Sequence, residues 1–291
     1  MLLGVDLGNF SVKTSEKVTF LSKISEVDNF TGDNKIIFNG KTLFVGEGEF
    51  NTDWNKSRKE NTLPLLFTAI YKSTTDNVNQ VVMGLPINMY KKTKDDLMEL
   101  IRNNRCARVN DRELIVEYVA IAPEGASAYY NLSDEQLREI GNKQLIIVDL
   151  CGRTTDICLF KNNKIIDIKT IPVGMLNVYE KIIDFVNTTY TENFNLEDAQ
   201  DIINNGLFLN GEVKDNSFIV PILKNCFNSI YKELQLKFNV NKGYVYLTGG
   251  GSEMLQYAFK NRLNNVIISN DCIFDNAMGF RKIGETLWQG K

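Results

Sequence analysis

Two aspartates that end similar apolar runs are the first candidates for chemistry in this sequence. Residues 2–8 read LLGVDLG and residues 145–152 read LIIVDLCG, so Asp6 and Asp149 each precede a turn of small residues. Two carboxylates at strand ends are costly to bury unpaired, and a cation between them is the natural neutraliser. Ligation by oxygen beside phosphates favours Mg²⁺ held largely through its waters.

Three turns rich in small residues follow apolar strands, and their composition suits phosphate binding. They are Asp6–Ser11, Asp149–Asp156 and Thr248–Ser252. Small residues let backbone N–H groups approach a phosphate closely, and the third turn opens a helix whose N-terminus favours a phosphate or ribose. Each turn taken singly is better explained as a tight strand-to-helix connection, whereas the three in this order predict a nucleotide site.

The two Val-Asp-Leu runs also indicate an internal duplication. Asp6 and Asp149 are 143 positions apart, about half of the 291 residues. Coincidence is the alternative, because a three-residue match is easily found, but the similar turns and the spacing favour two related halves. The sequence has neither a P-loop nor a Rossmann fingerprint. We therefore expect the nucleotide in a cleft between the halves, with each half wrapping the phosphates with its own hairpin.

Composition narrows the chemistry further. The chain has no histidine, which excludes Ser-His-Asp catalysis and histidine metal sites. Its 33 basic and 36 acidic residues give a net charge of −3, so no bulk attraction to nucleic acid or an anionic membrane is expected. The five cysteines form no C-x-x-C pair, which fits reduced, mostly buried thiols. Without a signal peptide or a long apolar run, we expect a cytoplasmic protein.

Strand and helix patterns alternate along the chain. Hairpins are predicted where Asn39-Gly40 and Asn162-Asn163 separate β-rich runs. A second strand after each aspartate is predicted at 11–13 with 18–21, and at 154–160 with 164–171; further strands are expected at 78–84 and 114–121. Helices are predicted at 61–72, 123–131, 176–190 and 217–238, with another capped by Thr93. This pattern predicts an α/β fold with mixed sheets.

These motifs together resemble a known superfamily. The sequence carries D-x-G-x-x-x-x-K near its amino end, D-x-x-G-x-T-T-D at mid-chain and T-G-G-G near the carboxyl end. This is similar to the actin/chaperone/sugar-kinase superfamily, and within it to the ParM-like bacterial actins that segregate plasmids. Supporting segments are Gly84-Leu85-Pro86, Pro123–Ala126, Pro172–Gly174 and Asp275–Arg281. The resemblance covers almost the whole chain and leaves no carboxyl-terminal substrate domain of the DnaK type.

The resemblance implies an actin-like ATPase fold, in which two related α/β lobes enclose a nucleotide. The expected domains are residues 1–143 plus 273–291, and residues 144–272. It implies that Asp6 and Asp149 position Mg²⁺, and that Glu124 orients the attacking water with help from Asp149. The nucleotide contacts that it implies are Gly8, Asn9, Ser11, Lys13, Gly152, Arg153, Thr154, Thr155, Gly249, Gly250, Gly251 and Asn276. Asn276 and Phe280 are expected near the hinge between the lobes.

Three positions leave alternatives open. Cys151 stands where the family usually has glycine, and it is either a tolerated small residue or a reactive thiol. Asp156 either binds metal or pairs with Lys13 or Arg153. Glu124 either acts on water or merely occupies a helix first turn, where negative charge is favoured.

The function that the resemblance implies is a filament-forming ATPase. ATP or GTP with Mg²⁺ would promote head-to-tail assembly, hydrolysis would weaken the contacts, and a small DNA-binding adaptor of the ParR type, bound to a centromere-like site, would cap the ends. Direct contact with nucleic acid or with a membrane is not expected. The alternatives are a small-molecule kinase and a non-polymerising chaperone or scaffold ATPase of the same superfamily.

Overall fold

The computed structural model describes residues 1–27, 34–51, 53 and 55–289. The strands are β1 (Leu2–Leu7), β2 (Ser11–Thr14), β3 (Thr19–Leu21), β4 (Lys23–Ser25), β5 (Lys35–Phe38), β6 (Lys41–Phe50), β7 (Val78–Leu85), β8 (Cys106–Val109), β9 (Arg112–Pro123), β10 (Gln144–Leu150), β11 (Thr155–Lys161), β12 (Lys164–Ile171), β13 (Phe208–Leu209), β14 (Glu212–Val213), β15 (Gly243–Thr248) and β16 (Val266–Ile268). The α-helices are α1 (Thr62–Ser73), α2 (Ile87–Asn103), α3 (Asp134–Ile140), α4 (Met175–Tyr190), α5 (Asp198–Asn205), α6 (Ile219–Lys237), α7 (Gly251–Lys260) and α8 (Asp275–Leu287), and a 3-10 helix spans Ala126–Asn131.

The strands form two large sheets that share one topology. In the described residues the first sheet runs β3-β2-β1-β7-β9-β8-β5-β6-β4 and the second runs β12-β11-β10-β15-β16. In both, the opening strand pairs antiparallel with the next strand and parallel with the strand that follows a helix. The first sheet is then extended beyond β9 by four further strands. The predicted duplication is confirmed by this shared order.

The register of the two opening hairpins is also the same. Asp6 lies opposite Lys13 across β1 and β2, and Asp149 lies opposite Asp156 across β10 and β11. Each hairpin therefore spans the same number of residues from its aspartate to the facing position. The halves thus repeat the position of the acid as well as the fold.

Apolar side chains form a separate core beside each sheet. One core includes Leu3, Val5 and Ile70, and the other includes Val148, Ile182 and Leu247, all of them fully buried. In α4, Val178, Ile182 and Val186 are buried at the four-residue spacing of one helix face. The predicted helices at 61–72, 176–190 and 217–238 are confirmed as α1, α4 and α6.

Two helix predictions are wrong. The helix expected to be capped by Thr93 begins at Ile87, directly after Pro86, and the Thr93 hydroxyl instead donates to the Met89 carbonyl within the helix. The helix expected over 123–131 is shorter, because β9 continues to Pro123 and only a 3-10 helix follows. The polar residues after Thr93 resemble a first turn, but they lie on the exposed face of an established helix.

The carboxyl-terminal helix α8 lies directly on β1. A Cβ atom built on Gly4 would come within 1.9 Å of the Ala277 carbonyl oxygen, so only glycine permits this approach. Among the described helices, none combines the length and the apolar composition needed to cross a membrane.

Candidate nucleotide-binding cleft

Residues from both large sheets line a cleft of about 350 Å³. Of the residues that we predicted to bind a ligand, those at its wall are Asp6, Ser11, Lys13, Asp149, Gly152, Gly249, Gly250, Gly251 and Asn276. The turns that follow β1, β10 and β15 therefore converge on one space. This convergence follows from the topology, because the three strands end at corresponding edges of their sheets.

The first turn places a cation beside its aspartate. Lys13 Nζ lies 3.8 Å from Asp6 Oδ2 and donates to the Ser11 carbonyl at 3.3 Å. Gly8 is needed for the tight turn, since a Cβ there would come within 2.7 Å of the Ser11 carbonyl oxygen. Asn9 is turned towards a neighbouring loop, where its Oδ1 accepts from Lys59 Nζ at 2.7 Å.

The second turn is tied to the start of α4. The Met175 and Leu176 amides donate to the Cys151 and Gly152 carbonyls at 3.0 and 2.7 Å. Of the four residues predicted here, only Gly152 is among those that line the cleft. The Thr155 hydroxyl donates to the Val173 carbonyl at 2.8 Å.

Arg153 and Thr154, the other two residues predicted in this turn, are not among those that line the cleft. The Arg153 guanidinium donates to the Asn51 carbonyl at 3.0 Å, and Thr154 is buried. Cys151 lines the cleft, and burial, strengthened by Asp149, raises the pKa of its thiol well above the usual range. A protonated thiol is a poor nucleophile, which favours the reading of Cys151 as a tolerated small residue.

The third turn depends on glycine. Gly249 has a φ of +80°, and a Cβ there would lie 2.5 Å from Asp149 Oδ1. Its amide donates to the Cys272 carbonyl at 2.9 Å, and α7 starts two residues later. The helix N-terminus is thus presented to the cleft beside an aspartate.

Gly249→Ala is expected to weaken nucleotide binding at least about tenfold, because the new Cβ would displace the Asp149 carboxylate. It should also destabilise the protein, because alanine is strained at the positive φ of residue 249. Calorimetric titration and thermal unfolding check this. Gly40→Ala is the matched control, since Gly40 also has positive φ but a Cβ there meets nothing within 4 Å. Equal nucleotide affinity in the two variants would contradict the prediction.

Asp149 lies at the centre of the acidic part of the site. It is fully buried, and its Oδ2 accepts from Asn276 Nδ2 at 2.7 Å, while Oδ1 has no partner among the described residues. Burial, with the nearby Asp6 carboxylate, raises the pKa of Asp149 to about 6 although the Asn276 amide opposes this. Asn276 also accepts from the Gly125 amide at 2.9 Å, so it bridges both parts of the site.

Glu124 follows β9 and is buried beside a lysine. Its carboxylate forms an ion pair with Lys56, which also donates to the Gly84 carbonyl at 3.0 Å. Burial raises the pKa of Glu124 to about 7 against the opposing effect of Lys56. Burial lowers the pKa of Lys56, but the Glu124 and Asp6 carboxylates outweigh it and the net direction is upward.

Asp156 completes the acidic group. Its Oδ1 accepts from the Thr170 hydroxyl and its Oδ2 has no partner among the described residues. A Cβ on Gly125 would lie 3.3 Å from the Asp156 Cβ and 3.4 Å from the Asp149 Cβ, so the turn after Glu124 packs against both aspartates. Burial raises the pKa of Asp156 well above its usual range. Lys13, one of its two considered partners, pairs with Asp6 instead.

The acids are compatible with a metal held mainly through water and phosphate oxygens. Within residues 1–27, 34–51, 53 and 55–289, no group of three or more Asp, Glu, His or Cys side chains is arranged to hold an ion directly. Mg²⁺ typically uses one or two carboxylates and keeps several waters. The unpartnered, buried Asp149 Oδ1 suits that mode, so the residues fit Mg²⁺.

Two lysines that the sequence analysis missed also belong to this region. Lys56 and Lys59 lie in the segment between β6 and α1, and they contact Glu124 and Asn9. Burial, together with Lys56 and Arg153, lowers the pKa of Lys59 to about 8. The only signal in the sequence was the basic run at 56–59, which also fits a solvated loop.

Comparisons with known proteins identify a family model and solved structures that this chain resembles. Residues 4–126 match the family described as "Actin like proteins N terminal domain". Comparison with curated proteins gives no match. The fold is similar to that of Ta0583, an archaeal actin homologue, with a TM-score of 0.84 and 18% identity over 98% of this chain and 99% of that chain.

Two further solved structures are similar to the whole chain. The ADP complex of Ta0583 has a TM-score of 0.83 at 17% identity over 98% of this chain and 99% of that chain. A 15-stranded ParM filament from Clostridium botulinum has a TM-score of 0.83 at 20% identity with the same coverage of the two chains. The predicted actin-like ATPase fold, with two related α/β lobes, is thereby confirmed along the chain, and residues 4–126 are similar to the N-terminal domain of actin-like proteins.

Proposed function

We propose that this protein binds ATP or GTP with Mg²⁺ in the cleft, hydrolyses it, and assembles head to tail into filaments in a nucleotide-dependent way. The observation that carries the proposal is the convergence of the turns after β1, β10 and β15 on one cleft beside two buried aspartates. The solved ADP complex of an archaeal actin homologue of the same fold supports the binding of a nucleotide.

The phosphates are assigned to the turns, and the nucleoside to the wall beyond them. In this assignment Ser11, Lys13 and Gly152 hold the β- and γ-phosphates, while the turn at 249–251 passes the α-phosphate and ribose. Gly8 shapes its turn by close packing, and Asn9, Arg153 and Thr155 support the turns through the contacts described above, whereas Thr154 is buried within the second turn. Asn276 couples the aspartate of one half to Gly125 of the other.

Hydrolysis is assigned to the acids. Asp6 and Asp149 would hold Mg²⁺, which on phosphates supplies neutralisation of the charge that develops on the transferred group. Glu124 would orient the attacking water and accept its proton, with Asp149 assisting. A carboxylate is sufficient for this task, which agrees with the lack of histidine.

The coupling to assembly is assigned to the two lobes. We keep the division into residues 1–143 plus 273–291 and residues 144–272, which the packing of α8 on β1 supports. A nucleotide that touches both lobes can change their relative angle when it is hydrolysed, and non-closing head-to-tail contacts then give open filaments. The same fold occurs in a ParM filament, which supports self-assembly. A cytoplasmic location and a ParR-type adaptor on a centromere-like DNA site complete the proposal.

Sedimentation with and without nucleotide tests this function. At micromolar concentration the protein is expected to pellet with Mg²⁺ and ATP or GTP, to remain in the supernatant with Mg²⁺ alone, and to release phosphate. Electron microscopy of the pellet should show filaments. Hydrolysis without sedimentation would favour the chaperone or scaffold alternative. Phosphorylation of a sugar by a monomeric protein would favour the kinase.

A further inference from the structure

Lys56 is an unusual lysine because almost all of its side chain is buried. Only 4% of that side chain is exposed, compared with 57% for Lys17 and Lys41. Its backbone is fixed from both sides, since the Thr62 hydroxyl donates to the Lys56 carbonyl at 2.6 Å and Asn55 Oδ1 accepts from the Ser57 amide at 3.0 Å. The backbone on both sides of the Lys56 side chain is therefore held by hydrogen bonds within the loop.

The ammonium group of Lys56 and the backbone of Gly84 together determine where the Glu124 side chain lies. The stem of Glu124 packs on Gly84 so closely that a Cβ there would come within 2.8 Å of its Cγ. The Glu124 amide donates to the Leu85 carbonyl at 2.8 Å. Lys56 then holds the carboxylate through the ion pair and donates to the Gly84 carbonyl at the same point. Backbone, stem and carboxylate are thus all fixed.

We propose that Lys56 is a positioning residue of the hydrolytic site, which holds the carboxylate of Glu124 in the orientation needed to act on water and compensates its buried charge. This inference rests on the proposed hydrolysis. A purely structural role is less suited to the observations, because a buried ion pair contributes little net stability compared with apolar side chains of similar volume. The surrounding acids, Asp6 among them, add to the demand for a fixed cation here.

Steady-state hydrolysis by Lys56→Met, Lys56→Arg and the double variant Lys56→Met/Glu124→Gln tests the role. Lys56→Met is expected to lower kcat at least about tenfold with KM changed less than about threefold, since orientation of the base is lost but phosphate contacts remain. Lys56→Arg should recover most of kcat. In the Glu124→Gln background, Lys56→Met should lower kcat no further, because Lys56 acts through Glu124.

Controls separate this role from folding and from the proposed function. Lys169→Met removes a lysine of a remote ion pair with Glu233 and should leave kcat unchanged. Thermal unfolding establishes that each variant is folded; if Lys56→Met is not, Lys56→Arg and the double variant decide the question. An unchanged kcat in Lys56→Met, or a full additional loss in the Glu124→Gln background, would overturn the inference while the parent still hydrolyses nucleotide. A parent protein without turnover would overturn the proposed function as well.

Discussion

Replacing Glu124 by alanine is expected to slow phosphate release about 10²-fold to 10⁴-fold while nucleotide-dependent sedimentation persists. The loss is of the size typical for removing a general base, because the attacking water would no longer be oriented or deprotonated. The proposed nucleotide contacts are Ser11, Lys13, Gly152 and the turn at 249–251, and the substitution changes none of them. A phosphate-release assay run beside a pelleting assay measures both quantities on one sample.

Two further variants serve as controls for Glu124→Ala. Glu124→Gln keeps an acceptor for the buried Lys56 ammonium and so separates lost chemistry from an uncompensated charge. Glu135→Ala, on the exposed first turn of α3, is the matched control and should hydrolyse nucleotide at the parent rate. Parent-like turnover in both Glu124 variants would remove this residue from the mechanism.

Asp149→Asn is expected to produce a protein that is more stable and inactive. The carboxylate is fully buried with one oxygen unpartnered and lies near Asp6, so neutralising it should raise the free energy of unfolding by about 1–3 kcal/mol. The same change removes the charge proposed to hold Mg²⁺, and Mg²⁺-dependent hydrolysis should be lost. Thermal unfolding in a chelating buffer and a metal titration of hydrolysis measure the two effects.

Asp275→Asn is the matched control for this stability change. Asp275 is also fully buried, but its oxygens accept from the Thr248, Tyr246, Ser269 and Asn131 side chains. An amide cannot accept all of these bonds, so this variant should be destabilised. A loss of stability in both variants would show that the Asp149 carboxylate is well accommodated and would contradict the prediction.

The stability difference at Asp149 should depend on pH in a defined direction. The pKa of Asp149 in the folded protein is about 6, above the ordinary value of 3.8, so the folded state binds the proton more tightly. The stability that the protonated Asp149 side chain contributes is present in full below pH 3.8 and is lost as the pH rises through 6. The advantage of Asp149→Asn over the parent should therefore grow between pH 4 and pH 7. A constant difference across that range would contradict this assignment.

The sequence was most informative where a local pattern has one structural solution. Asn39 and Asn163 have positive φ at the hairpin turns where the Asn-Gly and Asn-Asn pairs predicted them. The apolar runs that lead to Asp6 and Asp149 form β1 and β10, and the hairpins that these strands open share one register. Such features depend on backbone preferences within a few residues, so they can be inferred without knowledge of distant contacts.

The remaining features depend on contacts far apart in sequence. Lys56 reaches Glu124 across 68 positions, and no motif links a lysine in a loop to a carboxylate after β9. Thr155 carries a hydroxyl that suits a phosphate, yet this hydroxyl donates to the Val173 carbonyl because α4 packs close to the second turn. Side-chain direction at such positions is decided by tertiary packing, which composition does not encode.

The matched registers of the opening hairpins have one more consequence. The position facing the acid is a lysine in the first hairpin, Lys13, and a second acid in the other, Asp156. The first hairpin therefore pairs its acid with a cation, whereas the second places two buried carboxyl groups opposite each other. The two hairpins therefore repeat one geometry but differ in charge, and the second needs either protonation or a cation to offset its facing acids.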